Sequence, residues 1–400
     1  MHNERKLIDG LYYVGASDRR LTKFENLLPL ERGVSYNSYL FIEEKTCLFD
    51  TVDISVTRQF LDNIDFLLKD RKLDYLVISH MEPDHCYNIR EVLLRHPETV
   101  VVGNAKTFSF LKQFFPDLDL EGHTLVVKEG DTLAFGKRVF HFVMTPMVHW
   151  PEVMMTYEEK DGLLFSADAF GTFKSLDGNM FADQVDYDRD WLDESRRYYT
   201  NIVGKYGMQV QMAFKKLSSL NIKMILPLHG PVYRNDIAYI LDKYQKWSTY
   251  EPEKKGVIII YGSMYGDNEN AAEILASSLS EDGVMDIRVY DASMVDPSFL
   301  VSESFRVSNI VLIAPTYNMT IYPAIDVYLD DMLRMGLKNR TFSLIQNGSW
   351  CPASLGLMKK KLSLTPSFKF TATEVTVSSS VNEKTREDLK KVAKEIVQSL

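Results

Sequence analysis

Residues 80–85 read HMEPDH and follow directly on Tyr75–Ser79, an apolar run rich in residues that favour strands. The side chains in this stretch that can ligate a metal ion are His80, Glu82, Asp84 and His85. A loop that leaves a strand presents such side chains on a rigid scaffold. Four ionisable groups so close together would repel one another or lose solvent without a cation. The stretch therefore predicts a metal site at a strand end.

Three further candidate ligands, His149, Asp168 and His229, each follow an apolar, strand-like run. With the first four they make seven imidazole and carboxylate groups and no cysteine, enough for two metal ions that share one bridging carboxylate. Open sites with histidine and carboxylate ligands suit non-haem iron, whereas structural metal sites are usually closed and rich in cysteine. The remaining histidines are interpreted as structural or solvated: His2, His96, His123 and His141.

The composition is that of an ordinary globular protein. The 400 residues are 45% hydrophobic and 25% charged, which predicts two or three domains. A net charge of −9 argues against nucleic acid or an anionic membrane as the main partner. The three cysteines, Cys47, Cys86 and Cys351, lie far apart, as expected in a reducing compartment. No signal peptide or apolar run of membrane length is found, so we expect a cytoplasmic protein.

Residues 1–250 alternate strand-like and amphipathic runs and are interpreted as the first domain. Two of the amphipathic runs, Val56–Lys69 and Arg196–Leu217, predict helices. The predicted strands are Ser38–Ile42, Tyr75–Ser79, Thr99–Val102, Val139–Thr145, Leu163–Ser166 and Met224–Pro227. The polar stretch 251–256 contains Pro252 and Gly256 and is interpreted as a linker.

Residues 257–400 are interpreted as a second domain of the α/β class. The predicted strands are Val257–Tyr261, Asp286–Tyr290, Ile310–Ala314 and Thr341–Gln346. The predicted helices cover residues 269–279, 324–335 and 383–400. Nearly continuous apolar strands that alternate with helices indicate a doubly wound parallel sheet, with ligands at the carboxyl ends of its strands.

The loop after the first of these strands, residues 262–269, reads GSMYGDNE. A strand, a loop of glycine and hydroxyl residues and a helix start together favour an anion site. The loop resembles the phosphate loop of flavodoxins, which bind FMN, with Asn268 in place of the usual threonine. We expect Asn268 to donate to the phosphate or to cap the helix. No G-x-G-x-x-G fingerprint is present, which argues against a dinucleotide.

Two further loops, Ala314–Asn318 and Gln346–Pro352, follow later strands of the same domain. An isoalloxazine ring would lie there, with Trp350 as the stacking partner. The candidate FMN-binding residues are Ser263, Met264, Tyr265, Gly266, Asp267, Asn268, Pro315, Thr316, Tyr317, Asn318, Asn347, Gly348, Ser349 and Trp350.

The metal-ligand pattern resembles that of the metallo-β-lactamase superfamily, His-x-His-x-Asp-His followed by a later His, Asp and His. Glu82 stands in place of the second His. With the flavodoxin-like half, this departure makes essentially the whole chain resemble the flavodiiron proteins, or A-type flavoproteins. The resemblance implies a metallo-β-lactamase-like αββα sandwich before the flavodoxin-like domain. The implied ligands are His80, Glu82 and His149 for one iron and Asp84, His85 and His229 for the other, with Asp168 bridging.

The resemblance implies an oxidoreductase that reduces O₂ to water, NO to N₂O, or both, with electrons relayed through FMN to two non-haem irons. Two ferrous ions and a reduced flavin store the four electrons that reduction of O₂ consumes, whereas coupling of two NO molecules needs two. The resemblance also implies a small electron donor such as rubredoxin. It further implies a head-to-tail homodimer, or a dimer of such dimers.

Tyr198 and Tyr199 are candidate catalytic residues that could supply a proton or hydrogen bond to the metal pocket, although adjacent tyrosines on a helix are more often packing residues. Two other functions are considered. A metal-dependent hydrolase of metallo-β-lactamase type would use a metal-bound hydroxide, but Glu82 and the three flavin-type loops disfavour it. An electron carrier with a structural metal is disfavoured by the open ligand set.

Overall fold

The computed structural model describes residues 2–400 and divides into two compact units. The first comprises the described residues up to Tyr199 together with Tyr206–Tyr244, and the second comprises Thr200–Lys205 and Gln245–Leu400. Among residues 2–400, no helix combines the length and the apolar character that crossing a membrane requires.

The first unit contains two large sheets. Its strands are β1 (Arg5–Ile8), β2 (Leu11–Tyr13), β3 (Ala16–Asp18), β4 (Lys23–Phe24), β5 (Leu28–Pro29), β6 (Val34–Tyr36), β7 (Tyr39–Ile42), β8 (Thr46–Phe49), β9 (Tyr75–Val77), β10 (Val100–Gly103), β11 (Thr124–Val126), β12 (Thr132–Phe135), β13 (Arg138–Met144), β14 (Met154–Glu158), β15 (Leu163–Phe165), β16 (Met224–Leu226) and β17 (Tyr233–Arg234). One sheet has the order β1-β2-β7-β8-β9-β10-β11 and the other β12-β13-β14-β15-β16-β17.

Helices accompany both sheets of this unit. They are α1 (Thr57–Leu68), α2 (Pro83–Cys86), α3 (Ile89–Arg95), α4 (Ala105–Phe114), α5 (Tyr187–Asp190), α6 (Leu192–Tyr198), α7 (Gly207–Leu217) and α8 (Ile237–Thr249), and the division between the units falls within α8. The sheets share one apolar core, in which Phe49 of the first sheet stacks on Phe165 of the second at 3.8 Å between ring centroids. This confirms the predicted αββα sandwich.

Each predicted strand of the first unit is present to within two residues at either end. The prediction of one helix over Arg196–Leu217 is wrong. Helix α6 ends at Tyr198, a π-helical turn covers Tyr199–Val203, and α7 begins only at Gly207. Gly204 and Gly207 have low helix propensity, and the apolar spacing that continues across the break hides it in the sequence.

The second unit is a parallel sheet covered by helices. Its strands are β18 (Lys254–Tyr261), β19 (Ile287–Asp291), β20 (Val307–Tyr317), β21 (Thr320–Ile321), β22 (Thr341–Asn347), β23 (Lys369–Phe370) and β24 (Val375–Val377). Its helices are α9 (Asp267–Glu281), α10 (Pro297–Arg306), α11 (Pro323–Arg334), α12 (Ser354–Leu362) and α13 (Glu383–Ser399). Strand β18 begins inside the stretch interpreted as a linker, and α10 and α12 were not anticipated from the sequence.

The strand order β19-β18-β20-β22-β23, with β24 also paired to β22, is the 2-1-3-4-5 order of flavodoxin-like folds. Helices α9 and α13 pack on one face through residues such as Leu275 and Ile396. Helices α10, α11 and α12 contact the same central strands. The predicted doubly wound domain is therefore confirmed.

Candidate metal centre and flavin cavity

The seven predicted metal ligands come together at one edge of the two sheets in the first unit. His80 and Glu82 follow β9, and the short helix α2 carries Asp84 and His85. His149 follows β13. Strands β15 and β16 pair in parallel, so Asp168 and His229, which follow them, emerge at the same edge.

The first ligand group comprises His80, Glu82, His149 and Asp168, whose ligating atoms all lie within 4.8 Å of one another. His149 Nε2 lies 3.1 Å from Glu82 Oε2 and 2.9 Å from Asp168 Oδ2. His80 Nε2 lies 3.2 Å from Glu82 Oε2 and 3.4 Å from Asp168 Oδ2. These four atoms converge on a single point that a metal ion could occupy.

The second group comprises Asp84, His85 and His229. The Nε2 atoms of His85 and His229 each lie 3.3 Å from Asp84 Oδ2. The other oxygen of Asp168, Oδ1, lies 3.0 Å from His85 Nε2 and 3.7 Å from His229 Nε2. The Asp168 carboxylate thus turns one oxygen toward each group, as a bridging ligand would.

All seven side chains are buried, and none of these residues is more than 9% exposed. Several of their polar atoms have no hydrogen-bond partner: both carboxylate oxygens of Asp84, both ring nitrogens of His85, His229 Nε2 and Asp168 Oδ1. Burying such atoms without hydrogen bonds is unfavourable. One cation in each group would satisfy the atoms that face it, so the residues present fit a dimetal site.

The pKa values describe the same site without metal. Burial lowers the pKa of His149, but hydrogen bonds to Asp168 and Glu82 outweigh it and raise that pKa to about 9. At His85, burial also lowers the pKa, but the negative charges of Asp84 and Asp168 outweigh it and raise the pKa to about 9. Protons therefore occupy these imidazoles at neutral pH, and a metal ion must displace them to bind.

Outer partners orient two of the ligand histidines. His80 Nδ1 lies 2.8 Å from the buried carboxylate of Glu152, and His229 Nδ1 lies 2.8 Å from the backbone oxygen of Ser35. A hydrogen bond at Nδ1 leaves Nε2 directed toward the metal position and raises its basicity. Glu152 is not predicted from the sequence, where its nearness to His149 in the chain is the one signal that points to it.

A cavity of about 360 Å³ adjoins the metal site on the side of Glu82 and Asp84. Its other lining residues, all missed from the sequence, are Leu21, Lys23, Phe24, Glu25, Asn26, Tyr36, Asp53 and Pro83. Glu25 is exposed as a residue, but partial burial of its carboxyl and a hydrogen bond with Glu82 raise its pKa to about 8. This space is large enough for a diatomic molecule.

The two candidate tyrosines have different surroundings. The Tyr198 ring lies 5.4 Å from the ring of His229, and its buried hydroxyl has no hydrogen-bond partner. Burial and then the charges of Asp168, Glu82 and Asp84 raise the pKa of Tyr198 well above its usual value. Tyr199 packs edge-on against Tyr244 at 4.9 Å. Of the two, Tyr198 is therefore the one beside a predicted ligand.

In the second unit, the three predicted flavin loops line one cavity of about 400 Å³. All the candidate residues lie on its wall except Gly266 and Tyr317, and two more residues, Met319 and Ser379, were missed. The first loop follows β18, but the prediction of loops from Ala314 and from Gln346 is wrong, because β20 continues to Tyr317 and β22 to Asn347. The three strands are neighbours and parallel, so their carboxyl ends meet. Tyr265 and Trp350 are 91% and 75% exposed and leave aromatic faces for a planar ring.

The phosphate-type loop ends at Gly266, whose φ of +95° precedes the first turn of α9. The expectation that Asn268 caps the helix is wrong, because the cap position is Gly266 and Asn268 lies inside the helix. Asn268 instead donates from Nδ2 to the Gly262 oxygen at 2.8 Å, which closes the loop. Backbone N–H groups at the start of a helix of this length are suited to a phosphate.

Comparisons with known proteins agree with this geometry. Residues 34–230 match the family described as "ODP family beta lactamase". The chain is 29% identical to a nitric oxide reductase of Moorella thermoacetica, over 89% of this chain and 88% of that protein. It is 30% identical to an anaerobic nitric oxide reductase flavorubredoxin of Klebsiella pneumoniae, over 88% of this chain and 73% of the relative.

Among solved structures, rubredoxin oxygen:oxidoreductase from Desulfovibrio gigas matches with a TM-score of 0.92 and 28% identity, over 99% of this chain and 98% of that one. The flavodiiron protein of Giardia intestinalis has the same fold, with a TM-score of 0.91 at 24% identity. The chain belongs to the flavodiiron family. It is an oxidoreductase whose relatives imply a flavin and non-haem iron.

Proposed function

We propose that this chain reduces NO, O₂ or both at a pair of non-haem irons, with electrons relayed through FMN. The observation that carries the proposal is the Asp168 carboxylate, which turns one oxygen toward each of two buried ligand groups. The names of the relatives, nitric oxide reductase and rubredoxin oxygen:oxidoreductase, support both gases as substrates. Two irons and one flavin, when bound, would supply the electrons for the reduction.

The chain's own residues would hold the two irons, orient the ligands and supply a proton to the substrate. His80, Glu82 and His149 would hold one iron, while Asp84, His85 and His229 would hold the other, with Asp168 shared. Glu152 orients His80, and burial excludes bulk water from the ligands. Tyr198 would present a proton or a hydrogen bond beside His229, and the catalytic role of Tyr199 stays a prediction.

The flavin cavity suits FMN. Its loop at Gly266 offers backbone N–H groups for one terminal phosphate, and Tyr265 and Trp350 offer faces for an isoalloxazine ring. We further propose a small electron donor such as rubredoxin, a cytoplasmic location, and a head-to-tail homodimer in which the FMN of one copy serves the irons of the other.

The test begins with protein purified without air and without added metals. We expect about two irons and one FMN per chain, and consumption of NO, O₂ or both by the reduced protein at gas electrodes. Asp168→Asn should abolish consumption, whereas Asp70→Asn, an exposed residue after α1, should not change it. Two zinc ions in place of iron, with no gas consumed after iron loading, would contradict the proposal.

A further inference from the structure

Three tyrosines form a line from the loop of Asp168 toward the protein surface, and this set, Tyr233, Tyr187 and Tyr239, is called the tyrosine line. Tyr233 Oη donates to the backbone oxygen of Phe170 at 3.0 Å. Phe170 lies two residues after Asp168. A covalent path of about eleven bonds along the chain and one hydrogen bond therefore connect the Asp168 carboxylate, the predicted bridging ligand, to the first tyrosine.

The remaining steps are short as well. Tyr187 Oη lies 2.9 Å from Tyr233 Oη, with 5.8 Å between the ring centroids. The Tyr187 and Tyr239 rings meet edge to face at 6.2 Å. Tyr233 is buried, whereas Tyr187 and Tyr239 are partly exposed. The line thus offers closely spaced, oxidisable side chains from the site outward.

An oxidised phenol becomes a strong acid and loses its proton. A tyrosine in the line is therefore oxidised most easily where a neighbouring base can accept that proton. Tyr233 donates to a backbone oxygen, which is a poor base. Tyr187 hydrogen-bonds to the hydroxyls of Tyr233 and Ser195, which are also poor bases. Tyr239 donates a hydrogen bond to the carboxylate of Asp188, and the Lys243 ammonium lies 5.2 Å from its ring and disfavours a radical cation. Oxidation is therefore most favourable at Tyr239, where Asp188 takes the proton.

Tyr198 is a poorer terminus although it lies beside His229. Its buried hydroxyl has no hydrogen-bond partner to receive a proton, so an electron leaves it only against the cost of a buried charge. The arrangement of acceptors thus directs oxidation away from the ligands and toward the surface.

We propose that the tyrosine line carries oxidising equivalents out of the metal site when O₂ reaches the irons while the flavin is oxidised. Reduction of O₂ to water consumes four electrons, of which two ferrous irons would supply two. The line supplies the other two in two separate events, in each of which one electron passes from Tyr239 through Tyr187 and Tyr233. The Tyr239 proton moves to Asp188, which releases it to water, and a neutral tyrosyl radical remains. A small thiol in solution returns a hydrogen atom to Tyr239, and two resulting thiyl radicals join as a disulfide.

The line protects the ligand histidines from oxidation, and it rests on the proposed reaction with O₂. The test uses iron-loaded protein with oxidised flavin, mixed in one series with O₂ and in another with hydrogen peroxide. Iron oxidation is followed optically, radicals by freeze-quench electron paramagnetic resonance, and modified residues by mass spectrometry. We expect a tyrosyl radical and modification at Tyr239.

Tyr187→Phe should abolish the Tyr239 signal and increase oxidation of ligand histidines while iron content stays unchanged. Tyr233→Phe serves as a second interruption if Tyr187→Phe fails to fold, and Asp188→Asn should lower the radical yield. Tyr87 is an internal control, because it is 44% exposed and lies two residues after the ligand His85. A diffusing oxidant would modify Tyr87, whereas the line would leave it unmodified.

The outcomes separate this inference from the proposed function. Iron that resists O₂ but yields the Tyr239 radical with peroxide would contradict the O₂ reaction and support the line. Iron that is oxidised while Tyr239 stays unmodified, or is modified equally in Tyr187→Phe, would overturn the line and leave the proposed function standing.

Discussion

The metal site and the flavin cavity both form at the carboxyl ends of strands. The metal site is built from side chains, whereas the flavin cavity depends largely on the backbone of its loops. The metal site converges seven buried side chains on two points. The flavin cavity is walled by exposed loops and uses backbone N–H groups and aromatic faces such as Trp350. Specificity therefore depends on residue type in the first case and on loop conformation in the second. Changing the type of a ligand side chain should therefore impair the metal site, whereas changing the backbone conformation of a loop should impair the flavin cavity.

The largest effect is expected for Asp168→Asn. An amide cannot place a negative oxygen toward each group, and its NH₂ would face a ligand histidine at about the distance that now separates His149 Nε2 from Asp168 Oδ2, 2.9 Å. The loss of metal affinity should exceed the roughly 10–100-fold that loss of an outer partner costs. Metal titration followed by elemental analysis measures it, with flavin content as the control. Unchanged iron content would contradict a bridging role for Asp168.

The difference between a site that depends on residue type and one that depends on conformation also explains what the sequence can predict. Ligands such as Glu82 and Asp168 can be predicted from the sequence because histidine and carboxylate side chains are the types that bind iron. Buried strands such as Val257–Tyr261 can be predicted from their apolar composition. Glu152 and Glu25 were missed because their proximity to the site arises only from packing between distant segments. The break between α6 and α7 was missed because the apolar spacing runs through it.

The second-largest effect is expected for a residue that contacts a ligand without binding metal itself, and it tests whether such a contact raises the metal affinity. Glu152→Gln should weaken the hydrogen bond that orients His80 and lower metal affinity about 10–100-fold. The matched control is Glu159→Gln, which alters an exposed carboxylate 3.0 Å from His141 and away from the site. Equal metal affinity in both variants would show that the Glu152 contact is not needed for binding.

The third effect is a pH dependence that only the metal site should show. Without metal, the raised pKa values of His85 and His149, about 9 each, stabilise the folded chain. That contribution is complete below the unfolded value of about 6.5 and is lost as pH rises through about 9. Metal binding displaces the same protons, so affinity should increase over this range.

Thermal unfolding with and without chelator, from pH 6 to pH 10, measures the difference. We expect the metal-free melting temperature to fall across this window and the stabilisation by metal to grow. Proton release in an unbuffered titration gives an independent reading. A metal affinity that does not change between pH 6.5 and pH 9 would contradict the protonated state of the two histidines.

The smallest effect concerns the flavin loop, where backbone conformation should decide the outcome. Gly266 has φ of +95°, and an added Cβ would meet no atom within 4 Å, so Gly266→Ala introduces strain without a clash. With alanine the loop would leave the left-handed conformation when FMN is absent. Recovering that conformation on binding costs roughly 1–2 kcal/mol, which predicts about tenfold weaker FMN binding.

Gly356 is the matched control, because it also has open space around its Cβ position but lies in helix α12 with an ordinary φ. Gly356→Ala should raise the free energy of unfolding by about 0.5–1 kcal/mol and leave FMN affinity unchanged. Fluorescence titration with FMN and chemical denaturation separate the two. If Gly266→Ala bound FMN as tightly as the parent chain, the loop would tolerate another backbone conformation. The flavin cavity would then depend on side chains in the way that the metal site does.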